Sequence, residues 1–336
     1  MTKVSLCLLT ICLILPVSSN AEQINIYSAR KENLIKPILT RFAEQHSVEI
    51  NLVTGKADAL ISRLQNEGEF TPADLLITVD AGRLVRAKQM GLTQAFDSEI
   101  LKQKIPVHLR DPDHHWFALS VRARPILYAN DKVKIEQLNS MLDLTHADWR
   151  NRICIRSSNN IYNQSLVAGL LAQHGADITL NWSKGLVANF ARDPAGGDRD
   201  QIKALAAGQC DIAIANTYYL AAMLNDPSTD PAIAKKVRVF WSDQSTTGAH
   251  VNISGAAITA HATNVRTAQM LLEFMLETES QHWYTHANQE YPVKSGIEWS
   301  DTLKTFGEFK MEQVPMQQIG QLNAEAVKIM DKAGWR

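Results

Sequence analysis

Ile212-Ala213-Ile214-Ala215-Asn216-Thr217-Tyr218-Tyr219 decides how the chain is read. The first four residues form an apolar run short enough for a buried strand, Asn216-Thr217 stop it, and two adjacent tyrosines follow. On a regular strand, neighbouring side chains face opposite ways. Both phenols can meet one ligand only where the backbone turns from strand into helix, and Tyr218 to Leu224 reads as that helix. A strand that ends in a turn and then a helix is the α/β repeat, whose ligands gather beyond the carboxyl ends of the strands.

Working outward, a second tyrosine-bearing stretch lies upstream: Arg156-Ser157-Ser158-Asn159-Asn160-Ile161-Tyr162-Asn163-Gln164-Ser165. It follows a short strand, Ile153-Cys154-Ile155, and leads into helical patterns over 164–174, 182–190 and 198–207. The first third has the same alternation. Strands are expected over 22–26, 48–53 and 73–80, and helices over 31–45, 57–67 and 81–90. Leu34, Ile35, Ile38, Leu39 and Phe42 recur at helical spacing in the first of these helices. Between the two sets, Phe117 to Tyr128 reads as long extended chain crossing from one lobe to the other. Val237-Arg238-Val239-Phe240-Trp241 and Ile253 to Ile258 read as strands returning towards the first lobe. Helices over 265–277 and 281–286 follow, and a terminal helix over 317–335. Lobes joined by crossing strands rather than by one linker point to a hinged clamp.

The 336 residues are too many for one ordinary core. The 34 Lys and Arg against 35 Asp and Glu leave a net charge of −1, without the basic excess of a nucleic-acid binder. Lys3, the apolar run Val4 to Val17 and Ser18-Ser19-Asn20-Ala21 form a secretory signal pattern, with cleavage expected after Ala21. The run is shorter than a membrane span needs, so no stable membrane insertion is expected after its removal. Cys7 and Cys12 leave with it. Cys154 and Cys210 remain, each a few residues before a tyrosine-bearing stretch. Export favours a disulfide between them over two buried free thiols.

Phenolate oxygen is a hard anionic donor, suited to a hard, highly charged ion. A free tyrosine keeps its proton near neutrality, but a trivalent cation can displace it. Three phenolates neutralise three positive charges. On residue types alone, a Tyr-Tyr pair is more often two half-buried aromatics whose hydroxyls face solvent. Arg30 and Arg122 likewise read either as anion-binding guanidiniums or as salt-bridge partners. His114-His115 sits in a polar loop, and Gly196-Gly197-Asp198-Arg199 lacks the lysine and spacing of a phosphate-binding loop. No Ser/His/Asp or Cys/His set has a catalytic context, so an enzyme is not expected.

Four stretches carry a resemblance over essentially the whole mature chain: Ala73 to Leu84, Ile155 to Ser165, Asn189 to Gln201, and Asp211 to Tyr219. The chain resembles the periplasmic ferric-iron-binding proteins of bacterial ABC importers, the transferrin-like solute-binding proteins. The resemblance implies an α/β, two-lobed periplasmic-binding-protein (type II) clamp, each lobe a mixed or parallel sheet flanked by helices. The lobes would comprise 22–121 with 247–297 and 122–246 with 298–336, joined by hinge strands. It places iron ligands at Tyr162, Tyr218 and Tyr219, and a synergistic anion such as carbonate on Arg30 and Arg122, with Asn160 assisting and Arg124 close by. Many relatives carry His-Tyr after the Tyr-Ser-x-Arg segment. Here Lys31-Glu32 stands there, which leaves Glu32 and Asp80 as the candidate first-lobe contributors. The family also implies Fe3+ as cargo, a periplasmic monomer and an inner-membrane ABC permease as partner. The rival readings are the same clamp holding an organic anion, a polyamine or a thiamine-like solute, and an exported hydrolase.

Overall fold

The computed structural model describes residues 22–336. The signal-peptide reading of 1–21, with Cys7 and Cys12, lies outside the described residues. The chain begins with β1 (Glu22–Ser28), α1 (Glu32–His46), β2 (Val48–Thr54), α2 (Ala57–Glu67), β3 (Leu75–Val79) and α3 (Ala81–Gln89). Helix α1 buries Ile35, Ile38, Leu39 and Phe42, and α2 buries Leu60, Ile61 and Leu64, as their spacings require. A short α4 (Glu99–Lys104) precedes β4 (Phe117–Ala123) and β5 (Ile126–Ala129).

The second set runs through β6 (Ile153–Cys154), α5 (Ile161–Ala188), α6 (Asp198–Ala206), β7 (Ile212–Ile214), α7 (Thr217–Leu224), α8 (Pro231–Lys236) and β8 (Val237–Phe240). Helix α5 breaks at Gly175, whose φ of 77° is outside the helical range and favours glycine. This break separates the two helices expected from sequence. The chain then returns as β9 (Val251–Ile258), α9 (Val265–Phe274) and α10 (Thr278–His286), and ends with α11 (Asp301–Thr305), α12 (Met316–Gln321) and α13 (Asn323–Lys332).

Two sheets result. The first has the order β2-β1-β3-β9-β4, with β1 parallel to β2 and β3, and β9 antiparallel to β3 and β4. The second has the order β6-β7-β5-β8, with β6 parallel to β7 and β5 antiparallel to β7 and β8. Helices cover both, giving the two-lobed α/β clamp expected from sequence. Its apolar side chains, such as Ile26, Ile77, Ile153 and Ile214, are fully buried.

The Phe117–Tyr128 stretch does cross between the sheets, with β4 in the first and β5 in the second. The reading of 237–241 is corrected: β8 pairs with β5 and stays in the second sheet, and only β9 returns to the first. The crossing is three segments wide. Arg124 N–H donates to the His250 carbonyl (3.0 Å), and Glu312 N–H donates to the Ala249 carbonyl (3.0 Å). A buried His250–Glu312 pair (2.5 Å) ties the middle segment to the third, and Gln173 donates to the same carboxylate (2.6 Å). The terminal helix is also two helices rather than one. Helix α12 lies on α3 of the first lobe so closely that a Cβ on Gly320 would stand 2.4 Å from Val85.

Candidate metal centre

Strand β7 is buried throughout and ends at Ile214. Ala215 and Asn216 continue the extended chain, and α7 starts at Thr217. Tyr218 and Tyr219 therefore occupy the first helical turn, where adjacent residues are rotated by about 100° rather than 180°. Their rings lie on one side, with centroids 4.3 Å apart and planes tilted by 38°. Tyr162 occupies the equivalent place after β6. Its backbone N–H donates to the side chain of Asn160, the N-cap of α5 (3.2 Å). All three tyrosines are half-buried. Two strand-to-helix junctions of one sheet thus present three phenols.

One guanidinium joins the two junctions. Arg122, on β4, lies 4.9 Å above the Tyr162 ring centroid and 4.3 Å above that of Tyr218. Its Nη2 donates to the Tyr162 hydroxyl at 3.4 Å. Burial works against ionising Tyr162, but the Arg122 charge and the Tyr218 hydroxyl bring its pKa below the ordinary phenol value. Burial, together with the charges on neighbouring tyrosines, raises Tyr218 well above that value and raises Tyr219 too. Tyr162 is therefore the easiest of the three to ionise, and the neighbouring phenols make the other two harder.

Behind Arg122 lies a carboxylate that sequence reasoning missed. Glu290 is 3% exposed and takes Arg30 in a bidentate pair, with both N–O distances 3.1 Å. Its Oε1 also faces Arg122 Nε at 3.5 Å. Ser120 donates to it, as does Ser254 at 3.2 Å. Burial opposes the charge on Glu290, yet the two arginines hold its pKa below the usual carboxylate value. Arg30 also donates to Ser254 (2.7 Å), and no hydrogen bond joins it to a tyrosine among the described residues. Arg122 is thus the guanidinium facing the phenols, with Arg30 behind it. The available signal was indirect: two buried arginines require a counter-charge.

Arg124 does not face the phenols. It lies beneath them and bonds Asn163, Asn216 and Asp198. The two acidic first-lobe candidates are otherwise engaged. Glu32 is exposed on the first turn of α1 and pairs with Lys36 (2.8 Å). Asp80 is fully buried and caps α3 with a φ of 79°. It accepts from Gly82 N–H (2.9 Å), from Asn252 (3.0 Å) and, across to the second lobe, from Ser165 (2.8 and 2.9 Å). Burial raises its pKa against these bonds. Asp80 thus links α3 to α5 one turn beyond Tyr162.

A disulfide joins Cys154 to Cys210, both in the core, and fastens β6 beside the start of β7. His115 bonds Thr93 (2.9 Å), and Asp200 caps Gly197 N–H (2.6 Å), so both motifs have local structural partners. Among the described residues, no three His, Cys, Asp or Glu side chains gather in a metal-binding group, and no helix is long and apolar enough to cross a membrane.

Residues 70–313 match the family described as bacterial extracellular solute-binding protein. Iron uptake protein A1 of a Synechocystis species is 42% identical over 94% of this chain and 88% of its own length. A Trichodesmium protein (IdiA, FutA), solved in complex with iron and citrate, is 43% identical with a TM-score of 0.91, covering 94% of this chain and all of its own. The ferric binding protein of Campylobacter jejuni is 38% identical with a TM-score of 0.87, covering 93% of this chain and all of its own. These are transport proteins rather than enzymes. The chain belongs to the bacterial extracellular solute-binding proteins, in the branch that contains the iron uptake and ferric-binding proteins.

Proposed function

We propose that this protein captures Fe3+ in the periplasm through the phenolates of Tyr162, Tyr218 and Tyr219 and delivers it to an inner-membrane ABC permease. The observation that carries this reading is the gathering of three phenols from two strand-to-helix junctions, two of them against one buried arginine and the third beside Tyr218. An arginine over phenol rings favours their anionic form, and a hard trivalent ion favours oxygen anions. The relatives named for iron uptake and ferric binding support the cargo.

Charge counting supports an accompanying anion. Three phenolates balance the three charges of Fe3+. Arg30 and Arg122 carry two positive charges against the single negative charge of Glu290. One positive charge remains at the guanidinium that faces the phenols. A carbonate-type anion, or one carboxylate of an iron chelate, would meet it and fill coordination positions that the tyrosines leave. The Trichodesmium relative is solved with iron and citrate. Asn160 caps the helix that carries Tyr162, and its amide stands beside this anion position in our reading. The proposed lobes are 22–121 with 247–297 and 122–246 with 298–336, acting as a monomer.

Ferric iron added to the purified protein should produce a visible phenolate-to-iron charge-transfer band. Tyr218→Phe and Tyr219→Phe should each shift or abolish it and weaken binding. A wild-type protein that shows no such band with ferric iron, with or without carbonate or citrate, would rule out the tyrosine site.

A further inference from the structure

Each tyrosine junction carries an asparagine beside its phenols, and both asparagines end on one side chain. Arg124 stands in the crossing between β4 and β5 and is 2% exposed. Its Nη2 donates to Asn163 Oδ1 at 2.6 Å, and its Nη1 donates to Asn216 Oδ1 at 2.8 Å. Asn163 follows Tyr162 directly. Its own amide donates to the carbonyls of Arg156 (2.9 Å) and Ser157 (3.2 Å), which pins the loop leading into α5. Asn216 precedes Tyr218 by two residues, and its amide reaches the Tyr218 hydroxyl at 3.4 Å. A further bond from Nη2 reaches the Ile214 carbonyl at the end of β7 (3.2 Å).

We propose that Arg124 is a positioning residue that sets the separation between the Tyr162 phenol and the Tyr218-Tyr219 pair. The proposal rests on the tyrosine site described above. A guanidinium is a planar, rigid fork, so two groups bonded to its two arms are held at a fixed spacing. Lysine offers a single nitrogen on a flexible stem and cannot hold both. Asp198 lies 3.3 Å from Nη1 with both oxygens and is itself 1% exposed. It pairs with Arg124 and, at 3.8 Å, with Arg156, so it offsets part of the charge while the fork adds rigidity to the centre. The role differs from that of Arg122, which faces the phenols. Arg124 touches neither phenol ring nor metal and acts through two asparagines.

The test compares Arg124→Lys with Arg152→Lys. Arg152 pairs with Asp211 (2.7 Å) across the same β6–β7 pair, yet it contacts neither tyrosine junction. Ferric affinity is measured by citrate competition, the charge-transfer band by absorption, and folding by circular dichroism and thermal melting. Arg124→Lys should bind iron about 10- to 100-fold more weakly, in the range usual for partners that orient metal ligands. Its band should be displaced even at saturating iron. Arg152→Lys should melt earlier but keep the wild-type band and affinity. Asn216→Ala leaves the pairs from Arg124 to Asp198 and Asn163 intact, and it should displace the band by itself. It therefore supplies the result if Arg124→Lys does not fold. Wild-type affinity and band in Arg124→Lys, or in Asn216→Ala, would overturn the proposal, as would an equal loss in Arg152→Lys. A wild-type protein lacking any tyrosinate band would instead defeat the tyrosine reading itself, before any variant is compared.

Discussion

At the scale of single residues, the site is a problem of charge in a confined space. The Arg122 charge lowers the pKa of Tyr162, while burial and the neighbouring phenols raise those of Tyr218 and Tyr219. If iron binds these phenols as proposed, loading must displace protons. Loading near neutral pH in weak buffer should release more than one proton per iron, measurable with a pH-stat. Because the ligating form is the deprotonated one, affinity should fall steadily as the pH is lowered. Glu290 gives a second prediction. Its depressed pKa stabilises the fold above the ordinary carboxylate value of about 4.3, and this contribution is lost as the pH falls through the lower folded value. Glu290→Gln should cost about 3 kcal/mol at pH 7 by urea titration, because two buried guanidiniums lose their counter-charge. The variant should also lack that part of the wild type's stability loss in acid. The tyrosines were legible because each sits in a recognisable local context. Glu290 was not, because its partner Arg30 is 260 residues away and only the folded chain brings them together.

Among elements, periodicity was informative where one face of a helix or strand is buried. Helix α2 has the expected bounds, and α1 and β2 differ from theirs by a residue. The short α4, α8 and α11 escaped notice because five or six residues hold little more than one turn of pattern. The break between α12 and α13 escaped because Ile319, Leu322, Ala326, Ile329 and Met330 keep helical spacing across it. Strand β8 was assigned to the wrong sheet because its apolar residues fit either, and its hydrogen-bonding partner is not written in its own sequence. Two tests belong here. Gly320→Ala should drive a methyl into Val85 and cost about 1–3 kcal/mol unless α12 shifts from α3. Cys154 and Cys210 are 56 residues apart, and replacing both with serine should cost about 4 kcal/mol by the loop-entropy argument. Denaturant titration checks both. The cysteine variant should in addition broaden the iron band, because β6 and β7 carry the two junctions.

For the whole molecule, two lobes and the crossing at Phe117–Tyr128 were foreseeable from β/α alternation interrupted by one long extended stretch, whereas the crossing near Glu312 was not. How the lobes meet was not. The link from Asp80 to Ser165 and the seat of α12 on α3 join groups that are far apart in sequence and unremarkable within it. Ligand must favour the closed form if it is to shift the clamp. Iron should therefore reduce the radius of gyration in X-ray scattering. It should also raise the melting temperature progressively with excess iron over its dissociation constant. A radius of gyration unchanged by iron at a concentration that saturates the band would separate binding from closure.

The placement of all three phenols on one sheet has a kinetic consequence. Opening the lobes moves one jaw away from the other without stretching the distances among Tyr162, Tyr218 and Tyr219. On the proposed reading, an ion held by these phenols would remain docked on a single jaw, as a load on a fixed berth. Its residence time would then be governed by how quickly water and protons reach the oxygens, not by mechanical separation of the ligands. A permease that props the clamp open would act as a sluice gate: it admits the competitors that strip the metal, while the berth keeps its shape for the next ion.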